Sequence, residues 1–384
     1  MTKPEPQKKR PRAWKRPAFL SFLLALALLG RPAERYTHAA SLLLRFANPN
    51  AQGFLPTYRK HALDETLLEV PTSAGPVRAR LYSPQGITNA PGIILVHGVH
   101  RLSIDEPRLI KFARAMASAG TSVLTPEVKE IAEYRIDPAS IKTIGASATA
   151  LRQRLGGKRV GIMGMSFAGG LGLRAAADPA FADDVAFVVA IGAHHDMGRV
   201  LQFFQTNHIQ WPDGHDEALV AHPYGGLVLL YSHIELLVPA KDAPIAREAI
   251  KLWLWEQKDE AKTRLLDLGP ESRAKITDLL DGKADVPALI EEIMREGRSA
   301  DAISPKGHLA GLQAPVFLLH GAGDTVIPAA ETAWLATEVP PSLLREALVT
   351  PALVHVELAG EPSATQQYEM VRFMAGVLGA AEGR

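Results

Sequence analysis

Apolar residues in this chain follow two patterns, and each predicts a different element. Short unbroken runs recur at residues 93–96, 123–124, 160–163, 185–191 and 316–319. A strand covered on both faces needs no polar side, so such runs predict a parallel sheet buried between helices. Ahead of them, residues 67–70 and 77–82 predict two strands around the turn Ser73-Ala74-Gly75-Pro76. The second pattern is helical. Residues 107–118 hold Leu109, Ile110, Phe112, Ala113 and Met116 toward one side, and 141–155, 330–338 and 363–378 behave alike. Strand alternating with helix predicts an α/β fold, a doubly wound and mostly parallel sheet.

The alternation breaks once, over residues 193–311. Ordinary βα loops run about 2–6 residues, so this stretch predicts an inserted unit. It reads as mainly helical (244–268, 271–280, 286–296), with a strand-like piece at 226–231 ahead of those helices. Ligand sites in open α/β sheets lie at the carboxyl ends of the strands, so the insertion is expected to form a cap over such a site. Its aromatic residues Phe203, Phe204, Trp211, Trp253 and Trp255 are read as core packing, with a pocket lining as the alternative.

The other end of the chain differs in kind. Lys8, Lys9, Arg10, Arg12, Lys15 and Arg16 precede an apolar run from Ala18 to Leu29. Twelve helical residues span about 18 Å, short of the roughly 30 Å hydrocarbon core. Residues 1–35 are therefore read as a signal peptide or an uncleaved membrane anchor, which implies export or membrane association. A packing helix on a cytoplasmic protein is the alternative. Residues 36–61 follow as a linker or accessory helix, with Leu42, Leu43, Leu44 and Phe46 as its apolar content. The main α/β unit then occupies 62–192 and 312–384.

Composition narrows the chemistry. With 47% hydrophobic and 22% charged residues in 384, the chain can bury a full core. It has no cysteine, which excludes disulfides, zinc-thiolate sites, iron–sulfur clusters and a thiol nucleophile. The net charge of +1 divides into +6 on the first sixteen residues and −5 on the rest. A mildly acidic globule has no surface that asks for nucleic acid.

The chemical signal lies at Val160-Gly161-Ile162-Met163-Gly164-Met165-Ser166-Phe167-Ala168-Gly169-Gly170. A strand runs into a helix through Gly164-x-Ser166-x-Ala168, a turn so sharp that the residues two before and two after the serine must be small. The helix then aims its first amides at whatever forms beside the hydroxyl.

With that turn, the sequence resembles the α/β-hydrolase superfamily, and three more segments fit in the right order. Ile93-Ile94-Leu95-Val96-His97-Gly98 resembles the strand and turn that contribute to the family's oxyanion hole. Val316 to Pro328, with His320-Gly321-Ala322-Gly323-Asp324, resembles the late strand carrying the acid. His355, in Leu353-Val354-His355-Val356, stands where the base is expected. The likeness covers about residues 65–192 and 312–380. Residues 112–126 and the single unit with a cap look most like bacterial esterases and the dienelactone-hydrolase-related group, although that group's cysteine nucleophile is absent here.

The resemblance implies Ser166 as nucleophile, His355 as base, Asp324 as acid, and the amides of Phe167 and of Gly98 or Val99 as the oxyanion hole, with no cofactor and no metal. It implies hydrolysis of a small-molecule carboxylic ester; an acyltransferase, a peptidase or a non-catalytic binding protein on the same fold are the alternatives. Ala168 replaces the motif's second glycine, and His97-Gly98-Val99-His100 lacks the glycine triplet of hormone-sensitive-lipase-like esterases.

Asp196, after the strand at 185–191, is a rival for the acid. His194 and His195 are read as a pocket wall or loop hydrogen bonds rather than metal ligands. His320 is read as structural, and His100 as a residue of the site's mouth.

Overall fold

In a computed structural model, the described residues are 33–295, 300–355, 357–358 and 360–383. The predicted signal or anchor segment therefore lies almost wholly outside the described residues. Among them, no helix is long and apolar enough to cross a membrane.

Eight strands make one sheet. They are β1 (Leu63–Val70), β2 (Val77–Pro84), β3 (Gly92–Val96), β4 (Ser122–Pro126), β5 (Val160–Met165), β6 (Val185–Ile191), β7 (Val316–Gly321) and β8 (Leu344–Thr350), in spatial order β1-β2-β4-β3-β5-β6-β7-β8. β2 runs antiparallel to both β1 and β4, and from β4 to β8 all neighbours are parallel. Every residue of β3, β4 and β7 is buried. That is why those strands read as unbroken apolar runs. β8 escaped the sequence pattern for the converse reason. It is the sheet edge, alternates exposed and covered positions, and carries Arg345 and Glu346.

Helices cover both faces. α1 (residues 33–47), α2 (Pro107–Ser118), α3 (Ala139–Arg154) and α4 (Phe167–Ala177) pack early in the chain. Between β6 and β7 come α5 (Met197–Thr206), α6 (Pro223–Ser232), α7 (Ala243–Leu254), α8 (Lys258–Leu265), α9 (Pro270–Leu280) and α10 (Val286–Arg295). After β7 follow α11 (Ala330–Glu338) and α12 (Ala364–Ala381). α1 starts at residue 33, inside the segment assigned to the signal or anchor, and buries Ala39 and Leu42 in the core beneath Phe112 and Met116. It is thus a packed helix rather than a linker, although Leu44 stays exposed.

Two expectations for the insertion need correction. Residues 226–231 are not a strand but part of α6. Gly225, Gly226 and Val228–Tyr231 are buried nearly all round, so hydrophobic period carries no information there. His222 accepts from the Tyr224 amide and Pro223 takes the first turn, which starts a helix. The single helical stretch expected over 244–268 is two helices. Glu256 breaks it with φ 63°, and no glycine or proline marks the place.

The inserted helices have their own core, including Phe203, Phe204, Val228, Ile250 and Ile276, and it continues onto Phe167 and Ile327. The insertion therefore rests on the carboxyl ends of β5 and β7.

Candidate active site

Ser166 joins β5 to α4 with φ 58° and ψ −135°, a conformation an L-residue adopts only under constraint. Its amide donates to Ile191 O at 2.7 Å and its carbonyl accepts from Gly169 N at 2.9 Å. The small neighbours are a steric requirement. A Cβ on Gly164 would stand 2.3 Å from Ala168 O, and one on Gly169 would stand 2.8 Å from the Ala193 methyl. Ala168 itself is fully buried without such a clash, so a methyl in place of the motif's second glycine is accommodated.

The turn after β3 lies alongside. A Cβ on Gly98 would be 3.6 Å from Ser166 Cβ. Its orientation is set by His97, which is buried. Val128 N–H donates to His97 Nε2 at 3.1 Å, so the ring proton sits on Nδ1, which bonds Gly98 O at 2.8 Å. Ser103 Oγ also stands 3.0 Å from Nε2. Burial pushes the His97 pKa down to about 4, against a smaller upward pull from the Gly98 carbonyl. The ring is neutral near pH 7 and acts as a fixed strut. Because the peptide is trans, a Gly98 carbonyl turned toward His97 leaves the Val99 N–H pointing the opposite way. Among the described residues, the amides of Gly98, Val99 and Phe167 donate no hydrogen bond.

Asp324 follows β7 and is fully buried. Its Oδ1 accepts from Val326 N and Ile327 N at 2.8 and 3.0 Å, and its Oδ2 accepts from His355 Nδ1 at 2.7 Å. Burial alone would raise its pKa. The hydrogen bonds from His320 and His355 outweigh it and hold the carboxyl well below the usual range, so the group is a carboxylate. His320 was expected to be structural, and its place is specific. Nδ1 accepts from Thr332 Oγ1 at 2.7 Å, while Nε2 faces Ile327 O at 2.8 Å and Asp324 Oδ2 at 3.2 Å. Its position four residues before Asp324 was the available signal for that contact.

His355 has φ 52° in the loop after Leu353-Val354. Gly321 makes room for that loop, since a Cβ there would lie 2.5 Å from Leu353 O and 3.1 Å from His355 N. Asp324 accepts only, so the His355 proton is on Nδ1 and Nε2 carries the lone pair. No hydrogen bond joins Ser166 to His355 among the described residues.

A strained serine after the fifth strand, an acid after the seventh and a histidine bonded to it after the eighth complete a sheet of order β1-β2-β4-β3-β5-β6-β7-β8. This is the α/β-hydrolase fold. No family model matches the chain, and no curated protein sequence does. Among solved structures of α/β-hydrolases, it is similar to brefeldin A esterase, a bacterial homologue of human hormone sensitive lipase, at 15% identity over 92% of this chain and 87% of that one, with TM-score 0.47. It is also similar to an esterase from Pyrobaculum calidifontis, at 16% identity over 91% of each chain and TM-score 0.46. A dienelactone hydrolase from Anabaena variabilis is 14% identical over 82% of this chain and 97% of that one, with TM-score 0.44.

The other candidate residues are occupied elsewhere. Asp196 caps α5 by accepting from Gly198 N at 2.8 Å and pairs with Lys306 at 2.7 Å. His195 lies in a buried cluster, where its Nδ1 accepts from Arg199 at 2.8 Å and its Nε2 donates to Glu338 at 2.5 Å. Glu331 ties that cluster together, accepting from the amides of His195 and Asp196 and from Arg199. His194 packs against Phe167, with ring centroids 5.4 Å apart, and bonds Ile303 O. His100 is half-buried and accepts from Leu102 N. Phe203 and Phe204 lie in the insertion's own core, and Trp211 stacks on His215. Trp253 and Trp255 are partly buried against that core under Lys258 and Lys251.

One approach to the site had no sequence signal. His222 N–H donates to Thr325 O at 2.8 Å, beside Asp324, while Tyr224 Oη comes within 3.5 Å of Val99 O. The start of α6 thus meets the turn after β3, which lies beside Ser166, and the loop that carries Asp324.

Proposed function

We propose that this chain is a serine hydrolase that cleaves a small carboxylic ester through an acyl-enzyme on Ser166. The observation that carries the proposal is the strained elbow that presents Ser166 beside three amides with no other partner. Serine is too weak an acid to attack a carbonyl unaided. His355 Nε2 takes its proton as attack proceeds, and Asp324 stabilises the imidazolium that results. The tetrahedral oxyanion is held by the amides of Phe167 and of Gly98 or Val99, each such donor supplying about 2.7–4 kcal/mol. His355 then protonates the leaving alcohol, and a water, activated by the same nitrogen, releases the acid. The Ser166–His355 hydrogen bond forms when substrate is bound, since such bonds are often long in the free enzyme. Residues 193–311 act as a cap that shapes the acyl pocket, and the reaction uses no cofactor.

A fluorophosphonate probe should label Ser166 in the wild type and leave Ser166→Ala unlabelled. Nitrophenyl esters of increasing chain length should be turned over with a clear optimum. Equal labelling of both proteins would reject the proposal.

Residues 1–35 are proposed to direct export or to tether the protein to a membrane, on the strength of their basic start and short apolar run. Deleting residues 1–32, which spares α1, should yield a soluble and active protein. Native full-length protein recovered without membrane association and with its original N-terminus would overturn this.

A further inference from the structure

The end of the sheet opposite Ser166 holds a cavity of about 150 Å³, lined by His38 on α1, Arg59, His61, Pro91, Gly120 and Thr121, among others. A water's share of liquid volume is about 30 Å³, so the space exceeds a single water. One of its buried polar groups has no partner in the fold. His38 is 4% exposed, yet its Nε2 has no hydrogen-bond partner. Burial and the nearby Arg59 and Arg45 push its pKa down to about 4, so the ring is neutral and carries one N–H and one lone pair.

Arg45 lies on the same face of α1. It is also 4% exposed, and only Nη1 is bonded, to Ser41 Oγ and to the carbonyls of Pro56 and Tyr58. Its Nε and Nη2 have no partner, and no carboxylate pairs with it among the described residues. Burial pushes its pKa down to about 10. Arg59 follows Tyr58 directly and bonds Glu34 through Nη1 at 3.0 Å, which leaves most of its five N–H groups for another acceptor. The carboxylate on the cavity wall, Glu382, is exposed at the rim.

Buried cationic and imidazole nitrogens without partners are costly, and native folds meet that cost with an ion, a water or a ligand. We propose that this cavity binds a phosphate monoester group or inorganic phosphate, with Arg59 and His38 as its principal contacts and the buried Arg45 charge on the same helix adding to the field. Phosphate fits both demands at once. Its anionic oxygens accept from guanidinium, and its monoprotonated form can pair with His38 Nε2 as donor or acceptor, whichever tautomer the ring takes. A phosphodiester headgroup has no O–H to donate. The site is independent of Ser166 and of the hydrolase proposal.

The test is calorimetric titration of the full chain with inorganic phosphate, alongside the histidine side-chain nitrogen resonances. One saturable site is expected, with the His38 Nε2 resonance moving on binding. Arg59→Gln and, separately, His38→Gln should each weaken binding about tenfold or more, the loss of one charge-assisted or buried hydrogen bond. Thermal melting of each variant without phosphate distinguishes lost binding from lost folding. Arg59, being exposed, keeps the test open if the His38 variant is unstable. No saturable binding at millimolar phosphate, or equal binding by folded Arg59→Gln, overturns the proposal. Capture by vesicles containing phosphatidylglycerol that is lost in Arg59→Gln, without binding of inorganic phosphate, also overturns it and assigns the cavity to a lipid headgroup.

Discussion

His355 Nδ1 meets Asp324 Oδ2 at 2.7 Å, and the same oxygen lies 3.2 Å from His320 Nε2. One buried carboxylate thus faces two imidazoles, and its other oxygen is spent on two backbone amides. Every lone-pair direction is used, so the carboxylate cannot turn away from His355 without leaving a buried donor unpaired.

That relationship separates the two aspartates the sequence left in competition. Asp324→Asn should lower kcat by up to about 10⁴-fold with KM little changed, because an amide stabilises the wrong imidazole tautomer. Asp196→Asn should keep kcat within a few-fold, and Asp196→Ala should lose about 1 kcal/mol of stability with its helix cap. Steady-state kinetics with urea denaturation of all three proteins check this. A large kcat loss confined to Asp196→Asn would assign the acid to the other strand.

The elbow makes a prediction about stability as well as activity. A residue held at φ 58° costs about 1–3 kcal/mol, which glycine relieves and alanine does not. Glycine gives back about 0.5–1 kcal/mol through its freedom in the unfolded chain. Ser166→Gly should therefore be inactive and about 1 kcal/mol more stable than Ser166→Ala. Thermal melting decides it, and an alanine variant at least as stable as the glycine one would mean the turn is not strained.

Acid should weaken the fold through His97. The unfolded imidazole titrates near 6.5, while the buried one titrates at about 4. Between those values the unfolded chain takes up a proton that the folded protein refuses, so stability falls as pH drops through that window. Above it the ring is neutral in both states and contributes no slope. The full loss from this one group is about 3 kcal/mol, from 1.36 kcal/mol per pKa unit. Denaturation midpoints measured from pH 7 to pH 4 should fall less steeply for His97→Gln, and parallel curves would exclude His97 as a source.

Much of this protein was legible in its sequence because the determining physics is local. Unbroken apolar runs announced β3, β5, β6 and β7, since a strand buried on both faces needs no polar side. Gly164-x-Ser166-x-Ala168 announced the elbow, since only small residues pass that turn. The 226–231 run was misassigned for an equally physical reason: once every side of a segment is buried, period no longer tells helix from strand.

What the sequence could not decide were matters of approach between distant segments. Asp196 and Asp324 each follow an apolar strand, and spacing treats them alike. Only the packed sheet brings Asp324 to His355, across a Gly321 that leaves room for the loop, while Asp196 is drawn to Lys306 and the first turn of α5. The alignment of the Gly98 peptide by His97, and the meeting of Tyr224 and His222 with the loops after β3 and β7, likewise depend on segments about 30 to 125 residues apart. Hydrogen bonds act over about 3 Å, and only the folded chain sets which groups come that close.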